Sequence, residues 1–232
     1  MNKGVVHVLS GGLDSTIVMR LLKHDGFDPI YAISFDYGQK QSKEIQLAAV
    51  SCKNLDVPHE VISIPFLNKI SQGFSANVDT NIQMPTIKEV LGDPQPKTYV
   101  PNRNMILMSI ASAYAETKGC NYVSMGLQLH DSYGYHDTTQ QFVDCINSAL
   151  AQNRKHQIEI IAPFANLSKT DELKKLLEVD GNIDLAKNTL TCYNPDNEGR
   201  SCGKCPSCAE RIQAFKNIGI KDPVEYSVNI KW

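Results

Sequence analysis

Near its start the chain reads Ser10-Gly11-Gly12-Leu13-Asp14-Ser15-Thr16. Three hydroxyls, two glycines and one carboxylate in so short a span suit a polyphosphate anion. Glycine lets the backbone approach a ligand closely, and the first N–H groups of a following helix are free to donate to it. Ser10, Ser15 and Thr16 supply hydroxyl donors, and Asp14 is placed to hold a metal that bridges phosphate oxygens. No Gly-Lys-Ser/Thr follows, so this is not the Walker loop.

Two cations match that chemistry. Arg103 and Lys169 each fall in the first turn of a predicted helix, where a positive side chain opposes the helix dipole. A phosphate or carboxylate gathered at those termini explains the placement, and a merely solvated side chain is the plain alternative. Between His130 and Asp137 stand two histidines, two aspartates and two tyrosines. Tyrosine can stack and hydrogen-bond, and aspartate can accept from an amino or ring N–H, so this stretch suits a base-like substrate. A metal site built on the His-Asp pairs lacks a third ligand in the sequence, and a plain surface loop is the other reading. Finally, Cys192, Cys202, Cys205 and Cys208 cluster near the end of the chain. Two short steps and one more distant sulfur close a tetrahedral thiolate site, for which zinc is the usual occupant and an iron–sulfur cluster the competitor. With no open position the site would be structural.

The elements that must position these residues follow from periodicity. The apolar run ending at Leu9 predicts a strand, and Ile17, Val18, Leu21 and Leu22 predict a helix closed by Gly26. Further strands are predicted over 29–35, 59–64, 121–126 and 157–161. Helices are expected over roughly 41–54, from an opening at Tyr99–Asn104 through about 118 ending at Gly119, and over 139–152. Another should run from Ser168-Lys169-Thr170-Asp171, which resembles a capping box, to Gly181. A last short helix is expected after Cys208. This alternation predicts an α/β fold: an open, mainly parallel five-stranded sheet with helices on both faces. From about 70 to 98 the pattern dissolves, which fits either an active-site lid or a disordered stretch.

At 232 residues the chain is one large domain or one domain with an appendage. We expect a body over 1–185 and a metal-binding helical tail over 186–232. No apolar run is long enough for a membrane span, and no signal peptide is apparent. A net charge of −2 gives no electrostatic footprint for nucleic acid. The expected setting is the cytosol, where seven cysteines argue for thiols or metal rather than disulfides. Cys52, Cys120 and Cys145 read as small core residues.

The glycine loop resembles the Ser-Gly-Gly-x-Asp-Ser loop of the PP-loop ATP pyrophosphatases. That family cleaves ATP between its α- and β-phosphates and adenylates a substrate oxygen. Asp36-Tyr37-Gly38-Gln39, Pro101-x-Arg103-Asn104, Gly134-Tyr135-x-Asp137, Leu167-Ser168-Lys169, Cys192-Tyr193 and Gly203-x-Cys205-x-Ser207-Cys208 extend the likeness. In that order and over nearly the whole chain, the set resembles the 7-cyano-7-deazaguanine synthases. The resemblance implies an adenine nucleotide α-hydrolase (HUP-like) fold, ATP with Mg²⁺ and structural Zn²⁺ as cofactors, and a homodimer in queuosine biosynthesis. It implies ATP contacts along Leu9, Ser10, Gly11, Gly12, Leu13, Asp14, Ser15, Thr16, Ile17, Val18 and Met19, and at Asp36, Tyr37, Gly38, Gln39, Arg103 and Lys169. Asp14, Ser15, Arg103 and Lys169 would be catalytic. Gln128, Asp131, Tyr133, Tyr135 and Asp137 would meet a deazapurine acid. Cys192, Cys202, Cys205 and Cys208 would hold the zinc. The implied reaction adenylates 7-carboxy-7-deazaguanine, admits ammonia to give the amide, and activates the amide with a second ATP to leave the nitrile.

The acceptor loop departs from the family pattern. Gln128 stands for Asn, His136 for Pro and Thr138-Thr139 for Cys-Arg, while Gln41 stands where His is frequent. Three further readings therefore stay open. The adenylate could pass to another amine, including one on a protein. The chain could be a PP-loop tRNA-modifying enzyme, or it could be a zinc-bearing nucleotide-binding module without turnover.

Overall fold

The apolar run before the glycine loop forms strand β1 (Val5–Val8), buried on both faces at the centre of a five-stranded sheet. The computed structural model describes residues 3–39, 43–85, 89, 93, 95–129 and 134–232. The other strands are β2 (Ile30–Asp36), β3 (His59–Ser63), β4 (Tyr122–Met125) and β5 (Glu159–Ile161). Their order is β3-β2-β1-β4-β5, and every neighbouring pair is parallel. The chain winds from β1 to one side through β2 and β3, then returns beside β1 as β4. That reversal opens a crevice beyond the carboxyl ends of β1 and β4, where ligands bind in sheets of this kind.

Seven helices with described bounds cover the sheet: α1 (Leu13–His24), α2 (Lys43–Leu55), α3 (Pro65–Ser71), α4 (Arg103–Lys118), α5 (Gln140–Leu150), α6 (Lys169–Asp180) and α7 (Pro206–Asn217). Alternation along β1 divides them between two cores. Val6 and Val8 pack with Leu107, Met108 and Ala111 of α4 and Val143 of α5. Val5 and Leu9 pack with Ile17 of α1, Ala48 of α2, Leu173 of α6 and Phe215 of α7. The predicted sheet, with helices on both faces, is the observed one. Gly119 and Gly181 end α4 and α6 in left-handed conformation, and the capping box at Ser168 and Asp171 is formed from both sides.

Some expectations are corrected. Helix α3 was not anticipated, and its one local signal is Pro65 at the first helical position. Helix α7 begins before Cys208 rather than after it, because Pro206 presets the helical φ directly behind Cys205. Cys52 and Cys120 are buried as expected, but Cys145 is exposed. In the irregular stretch, Ala76 N–H donates to the Lys97 carbonyl at 2.8 Å and Asn77 Nδ2 to the Thr98 carbonyl at 2.7 Å, lacing its two ends together. Its middle lies largely outside the described residues. No helix among the described residues is long and apolar enough to cross a membrane.

Candidate active site

The crevice is built from the glycine loop outward. Gly11 takes φ +88°, and a Cβ there would lie 2.0 Å from the Glu44 carbonyl of α2, so only glycine lets α2 press against the loop. Ser15 Oγ accepts from Ser10 N–H at 3.2 Å and lies 3.0 Å from Ser10 Oγ, which in turn accepts from Gly12 N–H at 3.1 Å. Beneath the loop, buried His7 contacts the Ser15 carbonyl through Nε2 at 2.8 Å. Burial lowers its pKa to about 4, so the ring is neutral and Nε2 donates. From the tail, Leu190 N–H donates to the Gly11 carbonyl at 3.1 Å. The loop is thus held from the sheet, from α2 and from the tail.

Ser10 and Ser15 face a cleft whose other walls include Tyr37, Gln39, Glu44, Arg103, Leu127 and Thr138. Tyr37 and Gln39 stand on a turn closed by Gln39 itself, which accepts from Tyr37 N–H and donates to the Phe35 carbonyl, both at 3.0 Å. Asn68 of α3 donates to the Gly38 carbonyl at 2.9 Å and braces that turn. Arg103 is half-buried with Nη1 3.5 Å from the Tyr37 hydroxyl, so it reaches into the cleft rather than into solvent. Glu44 was not singled out from the sequence. Burial pushes its carboxyl up to about 8, against the pull of Arg103.

Beside the α1 terminus, outside the residues that line this cleft, lies an ionic cluster. Lys169, 2% exposed, pairs with Asp14, whose side chain is 21% exposed. Burial works most strongly to raise the Asp14 pKa, but the Lys169 ammonium together with hydrogen bonds from Glu172 and Lys169 holds the carboxyl below its usual range. Burial likewise opposes the Lys169 charge, but Asp14, Glu172 and Glu210 hold it protonated. Glu172 is wholly buried, no N–H group among the described residues donates to its carboxylate oxygens, and its carboxyl shares a hydrogen bond with Asp14. Burial, and then the Asp14 charge, push its carboxyl well above the usual range. Glu172 reads in sequence as an ordinary acidic residue in a helix's first turn, and nothing local marks it as buried.

The sequence-predicted residues thus fall into two sets. Ser10, Ser15, Tyr37, Gln39 and Arg103 meet in the cleft, and Asp14 and Lys169 pair with each other outside its lining. Leu13, Ile17, Val18 and Met19 are wholly buried in the core, and Thr16 Oγ1 donates to the Gly12 carbonyl at 2.8 Å, so these side chains support the loop from behind. Asp36 accepts from Gly38 N–H at 3.1 Å. Among the acceptor residues, Gln128 is buried and donates to Glu210 of α7 at 2.8 Å. Tyr135 bonds Thr98 and stacks on Tyr99 at 6.5 Å. Asp137 is buried and accepts from Asn104 N–H at 3.3 Å, fixing the start of α4. Asp131 and Tyr133 lie outside the described residues, as does Gln41.

The four predicted cysteines do converge. Their sulfurs all lie within 4.8 Å of one another, and Cys202 and Cys208 Sγ are 3.9 Å apart. Zinc–thiolate bonds of about 2.3 Å in a tetrahedron require sulfurs about 3.8 Å apart. Backbone N–H groups of Asn194 and Cys202 point at Cys192 Sγ, at 3.3 and 3.2 Å, and those of Lys204 and Cys205 point at Cys202 Sγ, as thiolates need. The donor set could hold a metal ion. Behind it, buried Arg211 pairs bidentately with Asp222 at 2.7 and 3.0 Å and also donates to Thr189, Thr191 and the Ala186 carbonyl. That network, invisible locally in sequence, closes the tail on itself.

A family model described as queuosine biosynthesis protein QueC matches residues 4–219. Among curated relatives named 7-cyano-7-deazaguanine synthase, that of Caldicellulosiruptor bescii is 37% identical over 227 residues, covering 98% of this chain and 99% of the relative. That of Clostridium kluyveri is 40% identical over 232 residues, covering 97% and 98%. That of Marinomonas sp. is 38% identical over 226 residues, covering 97% and 99%.

Proposed function

This chain belongs to the QueC family of queuosine biosynthesis proteins, and from that premise we propose that it converts 7-carboxy-7-deazaguanine to 7-cyano-7-deazaguanine with ATP and ammonia. The observation that carries this reading is the crevice itself, where a glycine loop at a helix N-terminus faces Arg103 across a cleft at the carboxyl edge of the sheet. A carboxylate is a poor electrophile, and adenylation supplies it with a leaving group. Ammonia then displaces AMP to give the amide, and a second ATP activates the amide oxygen so that loss of AMP leaves the nitrile. No covalent nucleophile is needed. Catalysis rests on aligning the acid oxygen with the α-phosphorus and on meeting the charge of the departing pyrophosphate.

The α1 N–H groups, with Ser10 and Ser15, bind the pyrophosphate. Arg103 lies across the cleft and offers a planar fork of donors to phosphate or to the acid. Asp14, beside the loop and partly open, has the carboxylate and the position for Mg²⁺, which when bound neutralises pyrophosphate charge. Lys169 sits next to Asp14 and adds a further positive charge. The four cysteines suit Zn²⁺, and four thiolates leave no position for substrate, so its role is to fix the tail. Because Leu190 of that tail holds the Gly11 carbonyl, folding of the tail and alignment of the loop are linked.

A second reading has one observation in its favour. Thr138, one of the residues that depart from the family pattern, lines the cleft. A pocket altered there suits an adenylate that passes to a different amine. Mass spectrometry of protein, MgATP, 7-carboxy-7-deazaguanine and ammonium separates the two. Free 7-cyano-7-deazaguanine with AMP and pyrophosphate is the expected product. Amide alone, or a mass increment on a protein, would transfer the assignment to the second reading. No consumption of ATP would end both.

A further inference from the structure

The cleft that the glycine loop faces suits anions, yet one carboxyl lines it. Glu44 stands in the first turn of α2, and its own carbonyl is the atom pressed against Gly11. Ala48 places α2 on one face of the sheet and Leu107 places α4 on the other, so Glu44 and Arg103 reach the cleft from opposite faces. The other polar side chains of the lining are hydroxyls, carboxamides and the Arg103 guanidinium. None of these takes a proton from nitrogen near neutral pH, and a carboxylate does. An ionised carboxylate beside a polyphosphate and an acid substrate repels both, so binding alone gives no reason for one here. Among the described residues nothing donates a hydrogen bond to the Glu44 carboxyl and no cation pairs with it, Arg103 acting on it only through space. Half-buried in that setting, the carboxyl is pushed up to about 8. At rest it is therefore mostly neutral and tolerates the anions, and it holds a proton taken from nitrogen better than an ordinary carboxylate would. The groups that face it are Arg103 of α4 and Tyr37 of the turn after β2, with Tyr135 and Asp137 behind Arg103. From α1 only the Ser15 hydroxyl joins the lining, and Lys43, the neighbour on α2, turns to the Asn197 carbonyl at 3.5 Å.

We propose that Glu44 is a catalytic residue of the transfer step, taking a proton from the nitrogen that attacks the acyl-adenylate. The nitrogen lone pair forms the C–N bond at the acyl carbon. One N–H proton passes to the Glu44 carboxylate, and the bond from that carbon to the AMP oxygen breaks with its electron pair leaving on AMP. The products are the amide, AMP and a protonated Glu44, which returns its proton to solvent. The adenylation that comes before involves no N–H group and needs no such acceptor. The inference rests on the adenylation reading given above, whichever amine is the nucleophile, and the experiment keeps the two apart.

Two rates separate the steps. Exchange of labelled pyrophosphate into ATP, dependent on 7-carboxy-7-deazaguanine, reports adenylation without any nucleophile. Formation of amide from ammonium, or of hydroxamate from hydroxylamine, reports transfer. Hydroxylamine is already the free base at neutral pH, so its pH profile reads the protein rather than the nucleophile. Glu44→Gln keeps the shape of the side chain and removes its proton affinity, and a thermal melt establishes that it is folded. It should lower transfer by about 10²–10⁴-fold, and by about tenfold or more beyond its effect on exchange. In wild type, hydroxamate formation relative to exchange should rise with pH and level off above about 8, a result that stands without the variant. Glu44→Gln that lowers both rates equally, or a hydroxamate profile that follows exchange across this range, overturns the proposal. Wild type that exchanges pyrophosphate but transfers to neither nucleophile overturns it too. Wild type without acid-dependent exchange removes the adenylation reading itself, and the proposal with it.

Discussion

Gly126 closes strand β4 against the start of α1, and a single methyl there tests how tightly the site is set. An alanine Cβ would lie 2.7 Å from both Ser15 Cα and Ser15 N. Carbon contacts settle at about 3.5 Å or more, so the two backbones must part by about 0.8 Å, given the 2.7 Å start. Both atoms are main chain, and Val8 is paired with Met125 immediately behind, so the sheet cannot yield and the glycine loop must. Overpacking of this kind costs about 1–3 kcal/mol. At about 2–4 °C per kcal/mol for a chain of this size, Gly126→Ala should lower the melting temperature by about 2–12 °C. Displacement of the loop by nearly an ångström should cost on the order of 10²-fold in kcat/KM for ATP. Gly119→Ala is the matched control. It sits at φ +69°, and a Cβ there would meet nothing within 4 Å, so the substitution carries a backbone cost of about 1–2 kcal/mol without touching the site. Steady-state kinetics and thermal melts of both variants decide the matter. Gly126→Ala with wild-type kinetics would refute the claim that this contact sets the loop. So would a Gly119→Ala variant equally impaired in catalysis.

Arg211→Ala strands the buried Asp222 carboxylate and should destabilise the protein by about 3–5 kcal/mol, read as a loss in melting temperature. Arg211→Met combined with Asp222→Leu should cost less than Arg211→Ala alone, and a larger cost would count against a charge effect. Metal analysis should find about one zinc per chain. Its removal by a chelator should expose four titratable thiols and weaken ATP binding, because Leu190 holds the Gly11 carbonyl. Thiols freed without any change in nucleotide affinity would disconnect tail from loop. His7 is held neutral by burial, with its pKa lowered from 6.5 to about 4. The unfolded chain therefore binds a proton that the folded one refuses between these values, and stability falls as pH drops from 6.5 toward 4. The loss from this group is about 3 kcal/mol. His7→Gln should flatten the pH dependence of the melting temperature in that window, and an unchanged slope would assign the acid sensitivity elsewhere.

The strands, the glycine loop and the helix ends were legible in the sequence because each is a local affair. Val5–Val8 is apolar except for His7 because a central parallel strand is buried on both faces. Gly119 and Gly181 mark helix ends because left-handed backbone is cheap only for glycine. Cys202, Cys205 and Cys208 sit close enough in the chain for their spacing to predict a shared ion. Chain order and alternation were enough for the α/β class, since a parallel strand must be reached by a crossover.

What only the tertiary structure decided is which side chains from distant segments meet. Lys169 stood in sequence as a cation that opposes its own helix dipole, and no local rule could pair it with Asp14, 155 positions earlier. Glu172 looked like a surface acid because burial is a property of the packed whole. Gln128, Tyr135 and Asp137 read as a loop offered to a substrate, and only the fold shows that their protein partners are Glu210, Thr98 and Asn104. Arg211 and Asp222 gave no signal at all, since a bidentate pair is recognisable only once both are in the same buried space. Periodicity and turn chemistry act over a few residues, while electrostatic pairing and burial act through space, and the crossovers of a parallel sheet place such partners far apart along the chain.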